Sequence, residues 1–318
     1  MGNVEVVEYR DEFRESSIEL LKKAFPGSSD EATFAWRFDT SEQNRPIIVC
    51  AVDGEKVVSF NSWIIWKFKV NERVFIGYQS GESATDNNYR RMGIWGKVIS
   101  LGEKLAEERG IDFFFGFPAA VSFGGFIKAG YHAVGTFDMM LHIIHPFLFR
   151  RANANQDVDY SFKHEHVSQN NLISPIEDSE YIDWRYHRNP KHYMIITHAE
   201  KQDNSTFVVR KNIYFNKRYK VSFPEIHLVD FCSNSFRGSF LNNSFRQLDA
   251  VFSRQAVWIK TFFNSKTERG KSLRRYFGII LRSKGPTLIF KKISRDLDDD
   301  IFLNFNNWDI LPHVMDSY

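Results

Sequence analysis

Helices and strands alternate in the pattern of apolar and polar positions along this chain. Apolar side chains recur on one helical face over 10–24, and a second short helix is predicted over 31–38, after the turn residues Pro26–Ser29. Three strand-like runs follow, separated by Asp-Gly and Asn-Glu turns, at 46–52, 56–66 and 73–85. This order is typical of a mixed α/β fold.

A strongly amphipathic helix and an apolar strand form the middle of the first half. Ile94, Val98, Leu101 and Leu105 are spaced as on one helical face, and Gly110 is placed to end that helix. A nearly all-apolar strand, a short helix and a final strand are predicted next, at 111–117, 122–128 and 131–144. Residues 1–145 therefore form one predicted domain.

The second half repeats this order of elements. Phe34–Phe38 is echoed by Ile182–Tyr186, and 148 residues separate Trp36 from Trp184. Strands are predicted at 192–197, 206–213, 218–223, 226–232, 258–263 and 287–292, and helices at 245–257 and 271–277. We therefore expect a duplicated domain over 172–318, joined to the first by a polar linker over 146–171.

Composition places the chain among ordinary globular proteins. Its 318 residues allow two domains, and its 43% hydrophobic and 25% charged residues are typical of folded proteins. A net charge of +3 is too small to indicate nucleic-acid binding. No run reaches the roughly 18 apolar residues of a membrane span, and Met1–Val6 does not begin a signal peptide. Both cysteines lie in apolar runs, so we expect free thiols and a cytoplasmic location.

The turn before the amphipathic helix has the chemistry of a phosphate site. Its sequence is Arg90-Arg91-Met92-Gly93-Ile94-Trp95-Gly96-Lys97. The first amides of a helix lack acceptors inside the helix, and the helix dipole adds positive charge there. Gly93 allows the backbone to approach a ligand closely, and the two arginines can add charged hydrogen bonds. An anionic ligand is therefore expected at this turn.

Three segments resemble the GNAT acetyltransferases. Arg90 and Gly93 fit the acyl-CoA motif of that family, R/Q-x-x-G-x-G/A, and Trp95 stands where Gly or Ala is usual. Two later segments resemble the fifth strand of the family and the helix that follows it, Gly110–Pro118 and Phe126–Tyr131. The resemblance covers the first predicted domain. In the second domain only the order of elements is similar, as in tandem-GNAT acyltransferases.

The resemblance implies two GNAT folds in tandem, with acetyl-CoA or another acyl-CoA as co-substrate and no metal. In the family, strands four and five splay apart, pantetheine pairs with strand four, and the diphosphate binds the amides of the turn. On this chain, the cofactor-binding residues implied are Ser83, Ala84, Thr85, Arg90, Arg91, Met92, Gly93, Ile94, Trp95, Gly96, Lys97 and Phe126.

Candidate catalytic residues follow from the needs of acyl transfer. The attacking amine needs a proton acceptor, and Glu82, on the strand before the turn, is the first candidate. Asp86 and Asp138 are weaker candidates, and a solvent-facing or ion-paired Glu82 is the structural alternative. Many GNAT enzymes have a tyrosine that protonates the leaving thiolate where this chain has Phe126. Ser122, one turn earlier, is the candidate substitute, with a helix cap as its alternative role.

The predicted function is direct acyl transfer from CoA to a primary amine of a small molecule. An amino sugar of surface-polysaccharide synthesis is one candidate acceptor. Basic residues far outnumber acidic ones over 254–295, which suits a nucleotide-linked or lipid-linked sugar or an anionic membrane, although a solvated face also explains them.

Two other functions stay open. A Fem-type aminoacyl transferase also pairs two GNAT folds, but it typically lacks the CoA turn that this chain has. A non-catalytic acyl-CoA sensor is suggested by Phe126, which has no hydroxyl.

Overall fold

The computed structural model describes residues 4–41, 44–144 and 171–315. Packing divides the chain into two units. The first comprises 1–135, 188–190 and 287–304, and the second comprises 136–187, 191–286 and 305–318. None of the helices within the described ranges is long and apolar enough to cross a bilayer.

Strands and α-helices alternate through both units. The strands are β1 Val4–Glu8, β2 Ile47–Asp53, β3 Lys56–Val70, β4 Arg73–Thr85, β5 Phe113–Gly116, β6 His132–Thr136, β7 Asp138–Ile143, β8 Ile173–Pro175, β9 Met194–Glu200, β10 Asp203–Asn216, β11 Val221–Ser233, β12 Trp258–Phe263, β13 Ile279–Leu281 and β14 Thr287–Lys292. The helices are α1 Arg14–Ala24, α2 Glu31–Phe38, α3 Ile94–Glu108, α4 Ala120–Lys128, α5 Ser179–Ile182, α6 Gly238–Phe252, α7 Glu268–Arg274 and α8 Asp299–Phe302.

The sheet of the first unit runs in the order β1-β2-β3-β4-β5-β14-β6, with β4 and β5 parallel. Phe60 of β3 packs on Phe34 and Phe38 of α2, whereas the Trp63 ring lies against Gly102 of α3. Side chains three residues apart on a strand point to opposite faces. Helices α2 and α3 therefore cover opposite faces, and β4 lies in the middle of this layered arrangement.

The sheet of the second unit repeats the strand order of the first sheet, arranged around its own pair of parallel strands. It runs β13-β7-β12-β11-β10-β9, with β11 and β12 parallel. Its core joins Phe207 and Phe231 of the sheet to Phe245 and Leu248 of α6, all buried. The predicted mixed α/β fold with a duplicated unit is confirmed.

In the strand orders given above, each sheet includes one strand from the other half of the sequence, and β8 also pairs with β3. β14 lies between β5 and β6 in the first sheet, and β7 lies between β12 and β13 in the second. The single strand predicted at 131–144 is therefore wrong, because the chain breaks at Phe137, whose amide donates to Pro286. The boundaries 1–145 and 172–318 are corrected with it. Periodicity shows where a strand lies but not which strand it pairs with.

Other differences concern the ends of elements. The short strand β1 was not predicted. The runs predicted at 218–223 and 226–232 form one strand, β11, which continues through Pro224. Helix α6 begins at Gly238, earlier than predicted. Except for its last residue, the predicted linker 146–171 lies outside the described residues.

Candidate active site

β4 and β5 separate at the carboxyl end of β5. Their parallel ladder joins Gly77–Ser80 to Phe113–Gly116, and β4 then continues to Thr85. The main chain of β4 beyond Ser80 therefore has one edge that β5 does not cover. The residues predicted to pair with pantetheine lie in this stretch, Ser83, Ala84 and Thr85.

A bulge in β4 determines the position of Glu82. Phe60 pairs with Ala84 and Ser62 with Gly81, so β4 contains one extra residue at this point. Glu82 adopts a φ of +50°, which is uncommon for a residue with a side chain. The bulge therefore changes the direction of this carboxylate relative to the regular ladder.

Glu82 and Arg37 form a buried ion pair. Arg37 Nη1 donates to Glu82 Oε1, and the side chains of Arg37 and Glu82 are 5% and 8% exposed, respectively. Glu82 Oε2 is also buried, and it accepts no hydrogen bond from the described residues. Glu82 also lines a narrow cleft with Ser29, Thr33 and Phe34, which has no room for a water molecule in this structure. The ion-paired alternative is therefore present, and Oε2 is the oxygen with a free position for a proton.

The turn Arg90–Gly93 is exposed and leads directly into α3. Arg91 and Gly93 adopt φ values of +65° and +73°, and Gly93 is the N-cap of the helix. Glycine offers no side-chain oxygen to the first helical amides, including those of Ile94 and Trp95. A Cβ on Gly93 would meet no described atom within 4 Å. The corner is therefore open to a ligand, and the positive φ is what requires glycine here.

The side chains of this turn are mostly available to solvent. The exposed side chains are those of Arg90, Arg91, Met92 and Lys97, and Gly96 is exposed as well. Arg90 Nε donates to the Thr85 carbonyl at 3.2 Å, which ties the turn to the end of β4. Ile94 is buried, so only its main chain is available to a ligand. The predicted diphosphate contacts therefore remain predictions, on a turn with suitable geometry.

Trp95 packs on α4. Its ring meets that of Phe126 edge-on at 5.1 Å, and a Cβ on Gly125 would lie 3.1 Å from it. Glycine at 125 therefore makes room for the bulky residue that replaces the usual Gly or Ala. Phe126 itself is buried and also packs on Tyr131. Its predicted contact with the cofactor stays a prediction, for a ring that is buried in the core.

The two weaker base candidates have structural roles. Asp86 accepts from the Asn88 amide and from Lys56 Nζ at 3.0 Å each. These contacts, the backbone hydrogen bond first, hold the pKa of Asp86 below its ordinary value. Asp138 lies in the second unit, where it accepts from Ser265 and from the Ser283 amide. Neither carboxylate joins Glu82.

Ser122 lies in the first turn of α4. Its hydroxyl donates to the Ala119 carbonyl at 3.1 Å, and Ala119 is the N-cap residue. The alternative role of a helix cap is therefore wrong. The role of an acid stays a prediction, and it requires the hydroxyl to leave this carbonyl.

A buried polar cluster between β3 and β4 was not predicted from the sequence. Asn61 is fully buried, donates to Ser80 Oγ at 3.3 Å and accepts from the Ser83 hydroxyl. The signal was a pair of polar residues, Asn61 and Ser62, in the apolar run Val57–Trp66. Since buried polar groups need partners, such an interruption indicates a network close to the bulge.

The comparisons with known proteins agree with this geometry. The sequence model of the acetyltransferase (GNAT) domain matches residues 5–133. Residues 5–133 are therefore similar to the GNAT acetyltransferase domain. Comparison with curated protein sequences found no match.

Solved structures with the GNAT fold cover most of the chain. A probable N-acyltransferase from Enterococcus faecalis V583 is 12% identical, with a TM-score of 0.58 over 92% of this chain and 73% of its own. A GCN5-related N-acetyltransferase from Anabaena variabilis is 10% identical, with a TM-score of 0.60 over 92% and 73%. Saccharomyces cerevisiae N-myristoyltransferase, with bound myristoyl-CoA, is 10% identical, with a TM-score of 0.53 over 91% and 82%. These likenesses show that the fold extends through both units.

The second GNAT-like unit has a buried arginine and a buried carboxylate at the positions that correspond to this ion pair. Arg185 and Asp230 follow Arg37 and Glu82 by the same 148 residues that separate the two tryptophans. β11 has a bulge at this point, because Val208 pairs with Asp230 and Val209 with Leu228. The duplicated unit has therefore kept the bulged strand and its carboxylate, although its sequence has no R-x-x-G turn before α6.

The parallel pair of the second unit is covered by the end of the described chain. The ladder of β11 and β12 stops at His227 and Lys260, and the 3₁₀ turn Pro312–Val314 contacts both strands. His313 is fully buried, 3.4 Å from Asp230. In the second unit, the turn Pro312–Val314 therefore occupies the region that corresponds to the uncovered edge of β4 in the first unit.

His313, Asp230 and Glu177 are close enough to hold a metal ion. However, the two ring nitrogens face different carboxylates, with Nε2 2.9 Å from Glu177 and Nδ1 on the side of Asp230. Tyr186 also donates to Asp230, at 2.8 Å. An imidazole that bridges two acids explains this arrangement without an ion, so the cluster does not change the expectation of a metal-free protein.

Proposed function

We propose that the first unit binds acetyl-CoA or another acyl-CoA and transfers the acyl group directly to a primary amine. The observation that carries this proposal is the open corner at Gly93, where uncapped helical amides meet exposed basic side chains. The uncovered edge of β4 begins next to that corner. Together they offer main-chain donors to a diphosphate and to the amides of pantetheine.

Glu82 is the proposed proton acceptor. It lies on the same strand as the pantetheine edge, one residue before Ser83. During transfer, the amine nitrogen forms a bond to the thioester carbon, the carbon–sulfur bond breaks, and the proton of the amine passes to Oε2 directly or through water. A main-chain amide of β4 beyond Ser80 is the proposed donor to the oxyanion.

A thiolate is a better leaving group than an alkoxide, so its departure depends less on a proton donor. Thiols ionise at a pKa of about 8.5 in water, so the sulfur can leave as the anion and be protonated later. Phe126 in place of tyrosine is therefore compatible with acyl transfer from the thioester. Ser122 is the proposed acid if one takes part.

The acceptor is proposed to be a small molecule with a primary amine, with an amino sugar as the first candidate. The basic stretch 254–295 is what favours a phosphorylated acceptor. A cytoplasmic location stays a prediction.

Calorimetry with acetyl-CoA tests the proposal. Wild-type protein is expected to bind one acetyl-CoA per chain, because a segment of the protein covers the corresponding region of the second unit. Gly93→Val is expected to weaken binding by about tenfold or more, since valine disfavours the positive φ that aims the amides. Gly54→Val is the matched control, because Gly54 also has a positive φ and open space around it. Absence of heat with wild type would favour a Fem-type enzyme.

A non-catalytic sensor is the second candidate function. Two observations favour it, the ion pair that engages one oxygen of Glu82 and the absence of a hydroxyl at Phe126. A thiol-release assay over a library of primary amines separates the two functions. Tight binding of acetyl-CoA with no thiol release from any amine would favour the sensor.

A further inference from the structure

The hairpin of β10 and β11 extends beyond its sheet. β9 pairs with β10 only as far as Val209, and β12 pairs with β11 only from Glu225. Between these points the two strands pair with each other, down to Asn216 and Val221. Among the described residues, no other strand joins them there. We call residues 211–224 the ribbon.

The ribbon exposes large apolar side chains on both of its faces. Ile213, Phe215 and Tyr219 are 69%, 53% and 66% exposed. Tyr214 and Val221 are exposed as well. Because successive residues of a strand point to opposite faces, the run from Ile213 to Phe215 exposes apolar surface on both faces, although Tyr214 also contacts the Trp258 ring edge-on at 5.8 Å. Soluble surfaces rarely hold such a group without a partner.

The charge of the ribbon has a single sign. Between Asp203 and Glu225 the sequence has five basic residues and no acidic one, Arg210, Lys211, Lys217, Arg218 and Lys220. Lys211 and the three at the tip are exposed. The surface is thus both apolar and cationic, which suits an anionic partner.

The corresponding hairpin of the first unit shows that this exposure is not required by the fold. Phe68, Val70 and Phe75, on β3 and β4, are all buried. Phe302 of α8 covers Phe75 at a ring distance of 5.2 Å. The charges near that tip are of both signs, since Lys69 pairs with Glu72.

We propose that the ribbon attaches the protein to an anionic lipid bilayer. Tyrosine and phenylalanine favour the interface between headgroups and acyl chains, and lysine and arginine bind the anionic headgroups. A bilayer can surround both faces of a narrow ribbon, which a flat protein surface cannot. Ile213 and Val221 would gain nothing from the phosphates of a nucleic acid. This attachment does not depend on the proposed transferase activity.

Vesicle sedimentation with the full chain tests the attachment. Wild-type protein is expected to sediment with phosphatidylglycerol-containing vesicles, weakly with pure phosphatidylcholine, and less as salt is raised. Two ribbon variants are expected to lower the bound fraction at least severalfold, Ile213→Ser with Phe215→Ser, and Lys217→Glu with Arg218→Glu. Val74→Ser is the matched control, because Val74 is an exposed apolar residue at the tip of the first hairpin.

Thermal unfolding and acetyl-CoA calorimetry of each variant show whether the fold and the first unit are intact. The proposal is overturned if the wild-type protein does not sediment with anionic vesicles, or if folded ribbon variants bind them as strongly as wild type does. Binding of the ribbon to a single-stranded RNA oligonucleotide, without binding to vesicles, would also overturn it.

Discussion

Glu82 has one oxygen engaged by Arg37 and one oxygen that accepts no hydrogen bond from the described residues. If Oε2 takes the proton of the amine, Glu82→Gln removes the acceptor while keeping the size of the side chain. We expect kcat to fall by about 100-fold or more, with the KM for acetyl-CoA unchanged. Steady-state kinetics with a responsive amine measures both. Glu72→Gln, at an exposed turn, is the control, and an unchanged kcat in Glu82→Gln would exclude this base.

Glu225 links stability to pH at the base of the ribbon. Burial alone would raise its pKa, but hydrogen bonds from His227, Asn212 and Trp258, with the charge of Lys260, lower the pKa to about 2. A carboxyl group whose pKa is depressed by folding stabilises the protein above its unfolded pKa, and this contribution is lost as the pH falls towards 2.

Thermal unfolding from pH 6 to pH 3 measures this contribution, and Glu225→Gln is the comparison. The variant is expected to be less stable than wild type at pH 6, and the difference is expected to shrink as the pH falls below about 4.5. A difference that stays constant with pH would show that Glu225 acts through packing alone.

At the scale of elements, the contact between α3 and α4 gives a paired prediction. Gly125 and Gly124 are neighbours in α4, but only at Gly125 would a Cβ press on the Trp95 ring, at 3.1 Å. Gly125→Ala is expected to destabilise the protein by about 1–3 kcal/mol through overpacking. Gly124→Ala is expected to stabilise it by up to about 1 kcal/mol, since its Cβ meets open space and alanine favours a helix.

Urea denaturation measures both substitutions. In the Trp95→Ala background, Gly125→Ala is expected to cost much less than it does in wild type, because the smaller side chain removes the contact. Equal effects of Gly124→Ala and Gly125→Ala would mean that the ring does not lie against α4.

Local pattern was sufficient to predict most elements and the turn of the first unit. The spacing of Ile94 and Val98 marks α3, and Gly93 marks its start, because these features depend on neighbours in sequence. The polar cluster at Asn61 and the partner of Glu82 were not predictable in this way. Both depend on a bulge that brings distant residues together, and a bulge leaves little trace in periodicity.

At the scale of the whole molecule, strand pairing was the part that the sequence did not reveal. The sequences of β7 and β14 have ordinary strand patterns. Each could pair with a strand of its own half of the chain. Their exchange joins residues that lie far apart in sequence, such as Phe115 and Phe290. Nothing local distinguishes the exchanged arrangement from two consecutive domains, which is why the predicted boundaries were continuous.

The exchange predicts how the chain responds to being cut. A fragment 1–145 lacks β14, so β5 would lose its antiparallel partner, and Phe113 would lose its contacts with Phe290 and Phe302. An uncovered central strand with buried aromatic residues favours aggregation. We therefore expect this fragment to be insoluble or unfolded by circular dichroism, with no binding of acetyl-CoA.

Supplying the missing strand is the decisive control. A fragment in which 287–304 follows 1–135 through a flexible Gly/Ser linker restores the first unit as packing defines it, apart from 188–190. This fragment is expected to be soluble, to unfold cooperatively and to bind acetyl-CoA with an affinity close to that of the full chain. If fragment 1–145 alone folds and binds acetyl-CoA, β14 is dispensable and the continuous boundaries are the functional ones. If only the fusion does so, the unit that binds the cofactor is assembled from both ends of the sequence.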